Sequence, residues 1–278
     1  MKLGLGSFAY FWSGGVPGWP QPAAPMTPLG LVERAAAMGL DLVQIADNMP
    51  VENLSSEALA ALHERAAELG VTIELGTRGI AGDRIARHLE LCRFFGARLL
   101  RIVVDSSDHH PSPSEVVATV ASHVAALDQA GVVLAIENHD RFPAATLASI
   151  VRQIDSPQVG VCLDTVNSFG SLEGPRAVLD ALAPLVVNLH LKDFTIRRAA
   201  HMMGFAIDGA PAGEGQLDIP WLLDRLREAG RDVNAILELW PPPEARIEET
   251  MAKEDEWAAR SIRNLRAFIP RQLIGSPK

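Results

Sequence analysis

The sequence predicts a single (β/α)₈ barrel, and three observations carry the prediction. Short runs rich in Val, Ile and Leu alternate with amphipathic helical segments through eight units, without a linker-like or low-complexity break. Continuous apolar runs of this kind suit strands buried on both faces of a parallel sheet, and eight such units close a ring rather than an open sheet. Finally, from Gly131 to Glu238 four consecutive apolar runs each end on a metal-capable side chain: VVLAIE at Glu137, VGVCLD at Asp164, VVNLH at His190 and AILE at Glu238. Function in a barrel collects at the carboxyl ends of its strands. No G-x-G-x-x-G follows the first strand, so a dinucleotide-binding sheet has no support.

The elements follow in order. Lys2 to Ser7 reads as the first strand, and the Gly/Pro/Trp-rich stretch after it as an irregular loop. Thr27-Pro28 opens a helix, with a capping residue before proline at the first helical position, and Gly39 ends it. DLVQIAD is the second strand; Ser55-Ser56 caps a helix that stops at Gly70. VTIELG and ARLLRIVVD are the third and fourth strands, each followed by a helix. The four metal-bearing strands then alternate with PAATLASIVRQID, GPRAVLDALAP and IPWLLDRLREAG, and a charged helix from Glu244 to about Phe268 closes the ring. Glu137 and Asp164 are 27 residues apart and Asp164 and His190 are 26 apart, each about one strand, one helix and two turns.

Between His190 and Glu238 the gap widens to 48 residues. The extra length, KDFTIRRAAHMMGFAIDGAPAGEGQLD, sustains neither a helical nor a strand period, yet its methionines and Phe205 make it too apolar for simple disorder. A lid loop at about 194–216, over the metal end of one barrel domain spanning 1–278, is the expectation.

With 278 residues and 48% hydrophobic composition the chain can bury a barrel-sized core. A net charge of −9 argues against a nucleic-acid surface. No apolar run approaches membrane-spanning length and the first residues do not resemble a signal peptide, so a cytoplasmic location without membrane partners is expected. Cys92 and Cys162 sit in apolar surroundings and read as core residues of a reducing compartment.

Any one strand-end carboxylate could be a cap or an ion-pair partner. At the ends of consecutive strands, Glu137, Asp164, His190 and Glu238 form an oxygen-rich donor set suited to one divalent ion, Mn²⁺ first, with Mg²⁺, Co²⁺ or Zn²⁺ as alternatives. Such an ion grips vicinal oxygens of a sugar and acidifies the C–H beside a carbonyl, so an ene-diolate can form. Glu137 and Glu238, on either side of the metal, are the expected acid/base pair.

ENHD at Glu137 to Asp140, LDTVN at Leu163 to Asn167, HLKD at His190 to Asp193, GEG at Gly213 to Gly215 and the late LELW resemble the xylose-isomerase-like barrels. That resemblance implies the fold, a bound divalent cation, the same four ligands and the same glutamate pair. It also implies homo-oligomers, although no residue pattern fixes a dimer or tetramer. Ketose 3-epimerases and the DNA-repair endonucleases of the superfamily carry His where this chain has Asn167, and the endonucleases need further histidines that the strand ends do not supply. The stretch from HLKDF through MGF to GEGQLD is similar to a subgroup that includes 3-oxo-isoapionate decarboxylase.

Six residues are expected to contact substrate. Lys192, two residues past His190, should face the site and pair with an anionic group. Arg197 and His201 of the lid would complete an anion pocket. His139 and Asn167 follow ligands, and Trp12, with Tyr10 and Phe11, could wall a sugar face. Glu74 and Gln44 sit near the ends of the third and second strands, where Glu74 suits a supporting role, and His109 and His110 read as surface residues. The function expected is a metal-dependent isomerase or epimerase of a small sugar or sugar acid. The alternative is a decarboxylase or lyase of a keto sugar acid on the same ligands, and a binding protein without turnover is the reading from another class.

Overall fold

In a computed structural model describing residues 1–271, the elements are β1 (Leu3–Gly6), α1 (Pro28–Ala37), β2 (Leu42–Ile45), α2 (Ser56–Leu69), β3 (Thr72–Arg78), α3 (Arg84–Phe95), β4 (Leu99–Val103), α4 (Pro113–Ala130) and β5 (Val133–Glu137). There follow α5 (Ala144–Ile154), β6 (Val159–Asp164), α6 (Pro175–Leu182), β7 (Val186–Leu191), β8 (Asp193–Arg198), β9 (Phe205–Ala210), α7 (Ile219–Glu228), β10 (Asn234–Leu237) and α8 (Ile247–Leu265). The predicted domain span runs past Arg271, and its last residues lie outside the described ones.

Eight parallel strands close into a barrel in the order β1-β10-β7-β6-β5-β4-β3-β2. The strands bearing the expected ligands, β5, β6, β7 and β10, are therefore consecutive neighbours. Register levels their ends: Glu137 pairs with Cys162, Asp164 with His190, and His190 with Ile236. Glu238, just past β10, continues the ladder by donating its backbone N–H to Leu191 O at 3.2 Å. Gly6 on the adjoining β1 makes room, since a Cβ there would meet Glu238 Cγ at 2.9 Å.

Helix starts form where the caps predict. Thr27 Oγ1 accepts from Gly30 N at 3.1 Å and Ser55 Oγ from Ala58 N at 3.2 Å. Gly70 ends α2 in the left-handed region at φ 65°. Aliphatic side chains fill the shell between strands and helices, while the inner layer of the barrel floor is polar: Gln44, Glu74 and Asn188 are all buried.

The segment 194–216 departs from the aperiodic loop expected. Its first half forms an antiparallel ribbon in which Phe194 pairs with Gly209 and Arg198 with Phe205, turning through Ala199 to Gly204. Beyond Phe194 the ribbon meets solvent widely, so Ile196, Arg197, Arg198 and Phe205 carry no alternation to read. The second half is a tight loop folded around Asp193. Its Oδ2 accepts from the N–H groups of Gly213 and Gly215, both at 2.9 Å, and its Oδ1 accepts from Phe194 and Leu217 at 2.8 and 3.0 Å. The GEG motif is thus a carboxylate cradle.

α8 closes the ring and also secures the loop after β1. Buried Glu254 accepts from the backbone N–H groups of Trp12 and Ser13 at 2.7 and 2.9 Å and from Ser13 Oγ at 2.5 Å. Burial pushes its carboxyl up to about 7, against those hydrogen bonds.

Two outcomes are expected. A Cβ at Gly215 would lie 2.1 Å from Asp193 Oδ1, so Gly215→Ala should lower stability by roughly 1–3 kcal/mol in urea unfolding, as overpacking does. A raised folded-state pKa at Glu254 means the folded protein holds the proton more tightly than the unfolded chain, so this contribution is lost as pH rises through about 7. Calorimetry should therefore show wild type gaining about 2 kcal/mol over Glu254→Gln between pH 8 and pH 5.5.

Candidate metal centre

His190 stands at the middle of the rim. Its Nε2 lies 2.6 Å from Gln44 Oε1. The amide nitrogen of Gln44 is occupied in donating to Glu74 Oε2 and Asn188 Oδ1, each at 3.1 Å, which orients its oxygen toward the ring. An amide oxygen can only accept, so Nε2 carries the proton and Nδ1 turns toward the cavity. Nδ1 there faces three carboxylates: Glu238 Oε1 at 3.3 Å, Glu137 Oε2 at 3.4 Å and Asp164 Oδ2 at 3.9 Å. All four side chains are at most 3% exposed.

Three buried carboxylates around one nitrogen require positive charge at that point, from a proton on Nδ1 or from a metal ion. Donor atoms of Asp164, His190 and Glu238 lie within 4.8 Å of one another, and Glu137, Cys162 and His190 form a second such group sharing the histidine. Among the described residues, His190 Nδ1 is buried without a hydrogen-bond partner, and Asp164 Oδ2 and Glu238 Oε2 are met only by the Lys192 ammonium. An unpartnered imidazole nitrogen facing carboxylates that already gather around a cation is a donor set that fits the divalent ion the sequence implies. The arrangement also adds Cys162, read from sequence as plain core.

The remaining oxygens are held in place. Asp164 Oδ1 accepts from the N–H groups of Val166 and Asn167, both at 2.8 Å. Glu137 Oε1 accepts from Asn167 Nδ2 at 2.6 Å, while its Oε2 accepts from Arg101 Nε. Burial pushes the Glu137 carboxyl up, but the Arg101 guanidinium and its cationic neighbours outweigh this and hold it below the usual range. Glu238 is likewise raised by burial and lowered further by His190 and Lys192, with a low net result. Beneath the rim, Glu74 accepts from the side-chain amides of Gln44, Asn188 and Asn234. This is the supporting place read for Glu74, with Gln44, Asn188 and Asn234 added. Burial pushes the Glu74 carboxyl up.

Lys192 reaches the site as its position predicts. Its Nζ lies 2.8 Å from Asp164 Oδ2 and 2.9 Å from Glu238 Oε2, so its charge is already answered by two carboxylates. Burial acts to lower its pKa, and Asp164 and Glu238 raise it above its ordinary value.

Above the cluster opens a cavity of ≈ 470 Å³. One wall is apolar, with Phe8, Phe11, Phe169 and Trp240; His139, Asn167 and Lys192 line it as expected. The other substrate-contact expectations are placed elsewhere. Trp12 does not line the cavity: its indole N–H donates to Pro241 O at 3.0 Å, and Phe8 and Phe11 take the wall in its stead. Arg197 pairs across the ribbon with Asp208 at 2.7 Å, and His201 accepts from Met203 N at the exposed turn. From the ribbon, Ile207 reaches the cavity. Asn138 turns away to lock β5 to β6, accepting from Asp164 N at 2.7 Å. His109 and His110, in the loop after β4, lie beside Glu115 and Asp105 and do not line the cavity.

Sequence reasoning missed Arg78 and Arg101, which line the cavity from β3 and β4, and Asp47, which joins them. For Arg101 the signal was a lone charge inside the apolar run LLRIVV, where an interior arginine needs a buried partner.

The family model described as Xylose isomerase-like TIM barrel matches residues 32–267. A 3-oxo-isoapionate decarboxylase from Pectobacterium atrosepticum is 36% identical over 270 residues, covering 95% of each chain. Among solved structures, a D-psicose 3-epimerase crystallised in the presence of D-fructose superposes with TM-score 0.72 at 17% identity, over 97% of this chain and 99% of that one. A xylose isomerase-like TIM barrel protein from Mycobacterium smegmatis, in complex with magnesium, gives TM-score 0.63 at 14% identity, over 84% and 87%. Structural likeness at such identities speaks for the fold alone. The family match and the 36% identity across nearly the whole chain make this protein a member of the xylose isomerase-like TIM-barrel family.

Proposed function

We propose that this protein is a divalent-metal-dependent decarboxylase of a keto sugar acid. Glu137, Asp164, His190 and Glu238 would hold the ion, Mn²⁺ by the hardness of the donor set or Mg²⁺, Co²⁺ or Zn²⁺ in its place. A divalent ion there supplies Lewis-acid polarisation of a substrate carbonyl.

The observation that carries the reading is the state of Glu137. Both of its oxygens are taken, one by Asn167 Nδ2 and the other by the guanidinium of Arg101, which does not release its proton. Moving a proton between two faces of a carbon needs a free base on each side. Glu238, by contrast, is hydrogen-bonded by no guanidinium or amide among the described residues; its Oε2 pairs with the Lys192 ammonium at 2.9 Å, an acid that can hand it a proton. One proton-handling position suits loss of CO₂: the C–C bond breaks, its electron pair stays on the sugar as an enolate, and a single proton is then delivered. Lys192 and Glu238 form that proton source, and Phe8, Phe11 and the ribbon carrying Ile207 keep water from it. The 36% identity with 3-oxo-isoapionate decarboxylase supports the same chemistry.

The second reading is an isomerase or epimerase acting through an ene-diolate. It is favoured by the two glutamates flanking His190 Nδ1 at 3.3 and 3.4 Å, the symmetric disposition a two-base exchange would use.

Mn²⁺-loaded protein in D₂O is expected to release CO₂ from 3-oxo sugar acids and place one deuterium in the product. Deuterium entering ketoses without CO₂ would instead establish the epimerase reading. Glu238→Gln should slow CO₂ release at least ~100-fold, a typical contribution of a positioned acid or base, while the variant still melts cooperatively. Near-normal turnover in that variant would remove Glu238 from proton transfer. Chelation of the metal should abolish turnover and re-addition restore it.

A further inference from the structure

Beside the metal cluster the cavity has a corner where two arginines meet. Arg78 ends β3 and Arg101 sits on β4; Asp47 stands between them, Oδ2 accepting from Arg78 Nε at 3.2 Å and Oδ1 from Arg101 Nη1 at 2.8 Å. One carboxylate thus pins two guanidiniums side by side on the cavity wall. Arg101 is 2% exposed, and among the described residues nothing hydrogen-bonds its Nη2, nor Nη1 or Nη2 of Arg78. Arg101 is answered by Glu137 as well as by Asp47, whereas Arg78 has only the carboxylate it shares, and its free Nη groups line the cavity. The remaining cation of the cluster, Lys192, is matched by Asp164 and Glu238. Asp140, a further acid lining the cavity, stands beside His139 at 3.4 Å.

We infer that Arg78 and Arg101, pinned by Asp47, form the subsite for the substrate's carboxylate. Forked N–H groups match a planar carboxylate in a way an ammonium does not. Arg101 also bridges Glu137, so a carboxylate held here is anchored against the strand that carries a metal ligand. The anion contact expected of Lys192 passes to Arg78, whose side chain is 36% exposed and reachable by ligand. This assignment rests on the sugar-acid reading of the site, but its test does not depend on turnover.

The measurement is calorimetric binding of L-threonate, L-threitol and erythritol 4-phosphate to the Mn²⁺-loaded protein. Wild type is expected to bind L-threonate at least tenfold tighter than L-threitol. Arg78→Gln should erase that preference while keeping L-threitol affinity and the melting temperature, and Arg78→Lys should restore only part of it. A threonate preference that is absent in wild type, or unchanged in Arg78→Gln, would overturn the subsite. So would a preference lost in Lys192→Met but kept in Arg78→Gln, or tighter binding of the phosphate than of threonate. An Arg78-dependent preference without CO₂ release from any 3-oxo sugar acid would retain the subsite and sink the decarboxylase. CO₂ release with an Arg78-independent preference would do the reverse.

Discussion

The upper half of this barrel depends on one electrostatic constraint. Three carboxylates are buried within 4 Å of a single imidazole nitrogen, and such a cluster is tolerable only when positive charge is fixed among them. Much of the surrounding structure answers that need. Gln44 sets the proton on the far side of His190, Arg101 takes one oxygen of Glu137, and Lys192 lies against Asp164 and Glu238. Because each of these partners comes from a different strand, the charge balance holds only in the closed ring. Electrostatics and topology are the same constraint seen twice.

The strands serve that cluster through register. Pairing of Asp164 with His190 and of Glu137 with Cys162 puts donors at one level, and β10 carries Glu238 to the same height from the far side of β7. Gly6 leaves the space that Glu238 fills. The polar floor of Gln44, Glu74, Asn188 and Asn234 is a second layer that orients the first, as amide and carboxylate networks do beneath metal-ligating histidines. The two glutamates are held differently: Glu137 by Asn167 and Arg101, Glu238 by Lys192.

The insertion after β7 shows how a local signal can be absent where structure is present. Asp193 collects four backbone N–H groups and so folds the GEG loop, a role visible only once residues twenty positions apart are brought together. The ribbon before it is largely open to solvent, so its strands lack the apolar alternation by which buried strands announce themselves. Trp12 illustrates the opposite error. An aromatic beside the rim in sequence points to the Pro241 carbonyl instead, because α8 draws the backbone of that loop onto Glu254.

By itself the sequence determined the barrel, the helix caps and the places of four metal-capable side chains, because each is written in short-range pattern: apolar runs, capping residues, and a Glu, Asp or His at the end of consecutive strands. Only tertiary structure decided which neighbours those side chains would have. The grip of Arg101 on Glu137, the pinning of two arginines by Asp47 and the distance of Lys192 from its carboxylates are contacts between strands far apart in the chain. No local period encodes such pairs. They arise where a closed ring aims interior side chains at one axis, and there the fate of each charge is set by what the other strands deliver.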